Sequence, residues 1–137
     1  MGRLALIILT AALAAPVLAQ QATEQGVALV IGNSGYKESP LANPGNDAAD
    51  MAKALGELGF KVILRRNANT RAMRGAIREF GQELRRAQVG LFYYAGHGVQ
   101  IRGSNYLIPV GADIRGEADV EDQAIDATSG MTMTTTA

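Results

Sequence analysis

The chain has 137 residues with 13 basic and 13 acidic side chains, one histidine, no cysteine and no tryptophan. Without cysteine, these residues form no disulfide and no thiolate metal site, and they contain no cysteine nucleophile. The formal net charge of +0 gives no electrostatic reason to expect nucleic acid or an anionic membrane as a partner. The length fits one small domain.

The first 19 residues are typical of a secretory signal peptide. Arg3 supplies the positive end, Leu4–Ala15 the apolar stretch, and Val17–Ala19 a small-residue cleavage site before Gln20. A single membrane anchor is the alternative, but the apolar run is shorter than the roughly 18–20 residues that span a bilayer. We therefore expect cleavage, an exported (periplasmic or secreted) protein with no stable membrane anchor, and a short linker over residues 20–25.

Hydrophobic patterning then predicts strands alternating with helices. The predicted elements, in chain order, are a strand at 26–32, a helix at 46–58, a strand at 60–65, a helix at 70–87, a strand at 89–95 and a hairpin at 99–101 and 105–108. This βαβαβ order predicts an α/β fold with a doubly wound, mainly parallel sheet. In such sheets, ligands and chemistry lie beyond the carboxyl ends of the strands.

Each predicted helix has one apolar face and a capping residue. The first helix starts after Asn43 or Asn46 and buries Ala48, Met51, Leu55 and Leu58. The second is capped by Thr70 and buries Met73, Ile77, Phe80 and Leu84. Its opposite face carries Arg71, Arg74, Arg78 and Arg85, for which a solvated surface is favoured over a docking site.

The only histidine, His97, lies between two glycines directly after the third predicted strand. Glycines allow a sharp turn and leave room beside an imidazole, a group that can transfer protons near neutral pH. From position alone, a loop histidine without a role is an equal alternative. A lone histidine without a second strong ligand predicts no metal site.

Three further segments have competing interpretations. Residues 33–36 (NSGY) follow the first strand, but they lack the GxGxxG spacing and the P-loop lysine, so nucleotide binding ranks last. Asp47 starts the first helix, where it either complements the helix dipole or faces a ligand beyond the sheet. Four acidic residues between positions 117 and 122 predict an acidic surface loop rather than a cation site.

Four segments, VALVIGNSGY, LANPGNDAADMAKALGELGF, VGLFYYAGHGVQ and NYLIPVGADI, carry a family resemblance through their order and spacing. Together they resemble the caspase/metacaspase-like cysteine peptidase family, and more narrowly the large-subunit part of its bacterial caspase-like members. The resemblance runs from about Gly26 to Ala127. It implies the caspase-like (caspase-hemoglobinase) fold over residues 26–127.

The resemblance implies an endopeptidase that cleaves protein or peptide substrates with a Cys-His dyad and without a cofactor. His97 matches the catalytic histidine, and Gly98 matches the residue whose backbone N–H holds the oxyanion. Asp47 matches an acidic residue of the first specificity pocket, which implies a preference for Arg or Lys at the cleavage site.

The family's nucleophile lies in an Asp-x-Cys pattern at the end of the next strand, and this chain stops before it. The domain is therefore expected to be incomplete in its C-terminal half, with an unpaired apolar edge on its third strand. Residues 128–137 form a low-complexity tail, interpreted as the product of truncation or a frameshift. Two functions stay open: an inactive peptidase part completed by a separate cysteine-bearing chain, or a non-catalytic periplasmic module that binds basic peptides.

Overall fold

The structure is a computed structural model, and it describes residues 26–127. The predicted signal peptide, linker and low-complexity tail lie outside the described residues. The elements are β1 (Gly26–Gly32), α1 (Pro44–Glu57), β2 (Lys61–Arg66), α2 (Thr70–Leu84), β3 (Val89–Ala95), β4 (Gly98–Ile101), β5 (Ser104–Leu107), α3 (Glu117–Gln123) and β6 (Ile125–Asp126). None of the helices in this part of the chain is long and apolar enough to cross a membrane.

Sheet A contains β2, β1 and β3 in that order, and both strand pairs are parallel. β1 is the central strand, and its residues from Val27 to Gly32 are buried. Parallel neighbours need crossover connections, which α1 supplies between β1 and β2 and α2 supplies between β2 and β3. The predicted α/β fold with a mainly parallel sheet is confirmed.

The two helices cover opposite faces of sheet A because successive residues of β1 point to opposite sides. On one face, β1 packs against α2 through Val27, Leu29, Ile31, Met73, Ala76 and Phe80. On the other face, β1 packs against α1 through Ala28, Val30, Ala48 and Leu55. The sheet is therefore doubly wound, with a separate core on each face. Of the apolar residues predicted for the buried face of the second helix, Leu84 is exposed, so for this residue the prediction is wrong.

α1 begins at Pro44, with Asn43 at the N-cap position, which is one of the two predicted starts. The Asn43 side chain makes no capping hydrogen bond. Instead, the backbone N–H of Gly45 donates to the Ser34 hydroxyl oxygen at 2.8 Å. A side chain from the loop after β1 thus caps the helix from outside and holds its start at the edge of the sheet.

At the other end of α1, the prediction that Leu58 joins the buried face is wrong, because Leu58 is 73% exposed. The helix ends at Glu57, so Leu58 leaves the helical path before its side chain reaches the core. Gly59 then turns the chain with φ of 91°, a left-handed conformation that glycine adopts at little cost.

α2 begins at Thr70, but the prediction that Thr70 caps it is wrong. Asn69 occupies the N-cap position, and its side-chain oxygen accepts from the backbone N–H of Ala72 at 2.8 Å. The Thr70 hydroxyl instead donates to the carbonyl of Gln123 at 2.8 Å, which ties α2 to the end of α3. The helix ends at Leu84 rather than at residue 87. The arginine face of α2 is exposed.

β4 and β5 form the predicted antiparallel hairpin, and β6 completes sheet B in the order β4-β5-β6. The turn residues Arg102 and Gly103 have φ of 50° and 82°, as a type I′ turn requires. Leu107 and Ile125 join the core on the α2 side of sheet A. Sheet B therefore lies on the α2 face, opposite α1.

The acidic segment near residue 120 is a helix, α3, and the prediction of a surface loop is wrong. The Asp119 carboxylate accepts from the backbone N–H groups of Arg115 and Gly116 at 2.8 and 3.1 Å, which stabilises the start of the helix. Glu117 forms an exposed ion pair with Arg102 at 3.4 Å. Within residues 26–127, no three His, Cys, Asp or Glu side chains are grouped to hold a metal ion.

β3 has only β1 as a strand neighbour within the described residues. The Ala95 carbonyl accepts from the Asn33 N–H at 2.8 Å, which fixes the ladder so that the backbone groups of Gly90, Phe92 and Tyr94 point away from β1. The strand is half-buried from Leu91 to Ala95 rather than buried on both faces. The expected apolar edge is present.

Candidate active site

The chain turns around His97 at the carboxyl-terminal edge of sheet A. Gly32 at the end of β1 is aligned with Ala95 at the end of β3, so the loops that follow these two strands meet. The loop after β1 carries Tyr36, and the turn after β3 carries His97. Ligand sites of open α/β sheets lie at this edge.

Two tyrosine hydroxyls hold the backbone of His97. The His97 N–H donates to the Tyr36 oxygen at 3.0 Å, and the Tyr36 O–H donates to the Ile108 carbonyl at 2.7 Å. The His97 carbonyl accepts from the Tyr94 O–H at 2.7 Å and from the Ile108 N–H at 2.9 Å. The two hydroxyl oxygens also lie 3.1 Å apart, and the Tyr94 hydroxyl lies 3.1 Å from the Ile108 carbonyl oxygen, so the two tyrosines hold the His97 turn within one hydrogen-bonded group.

The half-buried imidazole of His97 is fixed by one hydrogen bond and one ring contact. Its Nε2 lies 2.7 Å from the carbonyl oxygen of Ser39. Because a carbonyl only accepts, Nε2 carries the proton and donates it. The Tyr36 ring lies against the imidazole, with centroids 4.3 Å apart and planes inclined by 49°. In the neutral ring the lone pair is therefore on Nδ1, which is the nitrogen able to accept a proton.

The Tyr94 hydroxyl is a donor that does not ionise under physiological conditions. Burial raises the pKa of Tyr94 far above its ordinary value of 10.0, and the hydrogen bond with Tyr36 acts in the same direction. The phenol keeps its proton in the folded protein, so it continues to donate to the His97 carbonyl.

Replacing Tyr94 with phenylalanine is expected to cost about 0.5–1.5 kcal/mol of stability at neutral pH, since this hydrogen bond is lost. Above about pH 10 the unfolded wild-type chain releases the Tyr94 proton while the folded chain keeps it, so wild-type stability falls. The variant has no hydroxyl at position 94 and does not lose stability in this way. The free energy of unfolding of the wild type therefore falls towards that of the variant, by up to about 1.4 kcal/mol per pH unit. Urea denaturation between pH 7 and pH 11 measures this; a difference independent of pH contradicts it.

Gly98 presents its backbone N–H on the free side of β4. Because the Ile108 N–H donates to the His97 carbonyl, the Gly98–Leu107 pair lies at a non-hydrogen-bonded position of the ladder. The N–H and C=O of Gly98 therefore point away from β5, and the residue is exposed. An N–H in this position can donate to an oxyanion beside the imidazole.

Asp47 lies in the first turn of α1 and is exposed. Its backbone N–H donates to the Asn43 carbonyl at 2.9 Å. Within residues 26–127, no hydrogen bond or ion pair joins its carboxylate to His97 or to another side chain. The structure thus brings His97 and Gly98 together, and it places Asp47 at the same edge of the sheet, on the α1 side.

The family model of the caspase domain matches residues 25–130. The chain belongs to the caspase-domain family. Over 94 residues it is 38% identical to mucosa-associated lymphoid tissue lymphoma translocation protein 1 of Homo sapiens, and over 94 residues it is 37% identical to the homolog of that protein in Mus musculus. These matches cover 68% of this chain and 11% of each relative, so the chain spans about a tenth of their length. The resemblance to the caspase-like peptidase family is confirmed.

In this caspase domain, the loop after β1 is occupied by structural hydrogen bonds. Asn33 is fully buried, and its side-chain oxygen accepts from the Ala68 N–H at 2.8 Å. The N–H groups of Ser34 and Gly35 donate to the Asn67 side-chain oxygen at 3.0 and 2.9 Å. A phosphate in this loop needs such amides, so their use by Asn67 argues against the nucleotide-binding alternative.

Sequence reasoning missed Tyr36, Ser39 and Tyr94 as parts of the caspase-domain site. Tyr36 was included only in a polar loop and Tyr94 only in an apolar strand. A buried tyrosine hydroxyl needs a partner, and that rule marks Tyr94 as more than core. The Ser39 contribution is a backbone carbonyl, which every residue has, so no residue type signals it.

Proposed function

We propose that this chain carries the histidine-bearing part of a caspase-like cysteine endopeptidase that cleaves protein or peptide substrates. The observation that supports this is the orientation of His97. Its Nε2 is engaged by the Ser39 carbonyl at 2.7 Å, which leaves Nδ1 to exchange protons with a reacting group. Because the chain belongs to the caspase-domain family, the reaction that we propose is hydrolysis of a peptide bond.

In this proposal, Nδ1 of His97 takes the proton of a cysteine thiol as the sulfur attacks the scissile carbonyl. The protonated ring then gives that proton to the leaving amine, and water completes hydrolysis of the thioester with the same imidazole as base. The hydrogen bond to the Ser39 carbonyl stabilises the ring while it is positively charged. The Gly98 N–H donates to the oxyanion.

The nucleophile is absent from these 137 residues, which contain no cysteine. We assign it to a further strand that pairs with the outward backbone groups of Phe92 and Tyr94, either in a longer form of the chain or in a separate polypeptide. Parallel strands end at one edge, so a cysteine at the end of that strand lies beside the turn that carries His97. The Asp47 carboxylate would face the substrate side chain directly before the scissile bond and favour Arg or Lys at that position.

Supplying the missing strand tests this proposal. We expect the 137-residue chain alone to leave Arg- and Lys-containing peptides uncleaved. A segment with an apolar strand that ends in Asp-x-Cys, co-expressed or fused, should produce cleavage. His97→Ala should then lower kcat/KM by roughly 10³-fold. Gln82→Ala, on the exposed side of α2, is the matched control.

Asp47→Asn in the same active assembly should reduce the preference for Arg and Lys over neutral residues, with folding unchanged. Cleavage that survives His97→Ala contradicts the catalytic assignment. Activity without any change in preference after Asp47→Asn contradicts only the assignment of specificity.

A second function, a non-catalytic module that binds basic peptides, is favoured by the exposed Asp47 carboxylate at the carboxyl-terminal edge of sheet A. It predicts peptide binding by the chain alone and no cleavage after the cysteine-bearing strand is added. Isothermal titration of an Arg-containing peptide, followed by product analysis with the added strand, separates the two functions.

We also propose export, with removal of residues 1–19. The support is the apolar stretch bounded by Arg3 and by the small residues before Gln20. Mass spectrometry of the protein recovered from outside the cytoplasm should show Gln20 as its first residue, and an uncleaved chain retained in membranes contradicts this.

A further inference from the structure

β4 is an edge strand that starts at the proposed oxyanion donor. Its second edge has no strand neighbour within residues 26–127, and its first three residues are exposed. The ladder places the N–H and C=O groups of Gly98 and Gln100 on that open edge, while those of Val99 point towards β5. Two outward residues two positions apart are spaced by about 6.6–6.8 Å, which matches the repeat of an extended peptide.

We propose that this edge binds the part of a peptide substrate that follows the scissile bond, as a strand added parallel to β4. The inference rests on the proposed function, in which the Gly98 N–H donates to the carbonyl under attack. Main-chain pairing with an exposed sheet edge is a common mode of peptide recognition, and it needs only that the peptide be extended.

The two faces of sheet A decide the direction of the peptide. Asp47, assigned to the side chain before the scissile bond, lies on the α1 side. Sheet B lies on the opposite, α2 side, with Leu107 in the core that contains Met73. A peptide with its basic residue on the α1 side therefore continues, after the scissile bond, along β4 from Gly98 towards Ile101, parallel to that strand.

A parallel ladder then specifies each hydrogen bond. The Gly98 N–H donates to the scissile carbonyl, and the Gly98 carbonyl accepts from the N–H of the second residue after the scissile bond. The Gln100 N–H donates to the carbonyl of that same second residue. The N–H of the third residue after the scissile bond points away from β4. The second residue after the scissile bond is thus hydrogen-bonded to β4 through both its N–H and its carbonyl. The third residue, whose N–H makes no bond to β4, provides a matched control.

Backbone N-methylation tests this register on the 137-residue chain. The probe is an eight-residue peptide whose fourth residue is arginine, so the second and third residues after the scissile bond are residues six and seven. We expect the peptide to shift the amide NMR signals of Gly98 and Gln100. Methylation of the residue-six nitrogen should weaken binding roughly tenfold, and methylation of residue seven by less than about twofold.

Two variants of the protein test the same hydrogen bonds by changing β4 instead of the peptide. Gln100→Pro removes the glutamine side chain and the N–H that faces the open edge, and it fixes φ at a position where sheets tolerate proline. It should weaken binding roughly tenfold, whereas Gln100→Ala keeps the N–H and should change it by less than about twofold. Circular dichroism confirms that both variants are folded.

The outcomes separate this inference from the proposed function. No shift at Gly98 and Gln100 at millimolar peptide, or sensitivity to methylation at residue two instead of six, overturns the parallel pairing. Residue two is the position that an antiparallel peptide would place opposite Gln100. Cleavage by the cysteine-completed assembly without these effects leaves the proposed function standing alone. The expected effects without any cleavage show a peptide-binding edge on a protein that is not a peptidase.

Discussion

Gly96→Ala is expected to lower the free energy of unfolding by about 2–4 kcal/mol and to release His97 from its fixed position. A methyl group at Gly96 would lie 2.5 Å from the Tyr94 hydroxyl oxygen and 2.7 Å from that of Tyr36. Neither oxygen can move away without breaking a hydrogen bond to the His97 turn. Urea denaturation measures the stability, and the NMR signals of the only imidazole in the chain report the position of the ring.

Two comparisons distinguish this mechanism from a general loss of glycine. Gly81→Ala lies inside α2 with no atom within 4 Å of the added methyl group, so it should stabilise the protein by about 0.5–1 kcal/mol. In the double variant Gly96→Ala/Tyr94→Phe, the closest oxygen is gone, and the ring, whose Cζ would still lie 2.8 Å from the methyl group, is no longer held by a hydrogen bond, so the cost should be smaller than the sum of the single costs. Additive costs, or an unchanged imidazole signal in Gly96→Ala, contradict the role given to the two tyrosines.

The fold was predictable because its main signals are local. The apolar run of β1 is bounded by glycines, and β3 was predicted at its observed bounds of Val89–Ala95. The helices were found from the spacing of the apolar residues that α1 and α2 bury. Such runs and spacings depend only on the neighbouring sequence, and they determine which face of each element can be buried.

Two capping contacts that sequence analysis missed involve residues outside the local segment. Thr70 is a good capping residue, but its hydroxyl finds the Gln123 carbonyl, and Asn69 takes the cap. The start of α1 is capped by Ser34 from another loop. These partners are 53 and 11 positions away, and a reading of local sequence does not contain them. The ends of elements are therefore less predictable than their existence.

The candidate site was predictable in part, because one of its signals is local. A histidine between glycines after an apolar strand is a local pattern, and it made His97 a candidate, whereas Gly98 and the roles of both residues came from the resemblance to the family and stay predictions. The groups that orient the ring come from the loop after β1, namely the Tyr36 side chain and the Ser39 carbonyl. Their contribution depends on β1 and β3 being neighbours, which the sequence pattern leaves open among several strand orders.

The free edge of β3 leads to a second prediction with a large effect. The chain without residues 1–19 should self-associate at concentrations of roughly 0.1 mM, and one lysine on that edge should largely prevent it. The backbone groups of Gly90, Phe92 and Tyr94 point outward along this strand, and its first residue, Val89, is 52% exposed. Val89→Lys adds a charge that a second chain would have to desolvate in order to pair. It removes little buried apolar surface, so stability should change by less than about 0.5 kcal/mol.

Leu58→Lys is the matched control, because it makes the same change in charge at an apolar residue that is 73% exposed and away from the edge. Sedimentation velocity over a range of concentrations should show oligomers for the wild type and for Leu58→Lys, and mainly monomer for Val89→Lys. Addition of the cysteine-bearing strand should dissociate the wild-type oligomers, because the added strand and a second copy of β3 compete for the same backbone groups. Oligomers that persist equally in all three proteins, with and without that strand, would show that association uses another surface and that the edge of β3 is not where a partner strand binds.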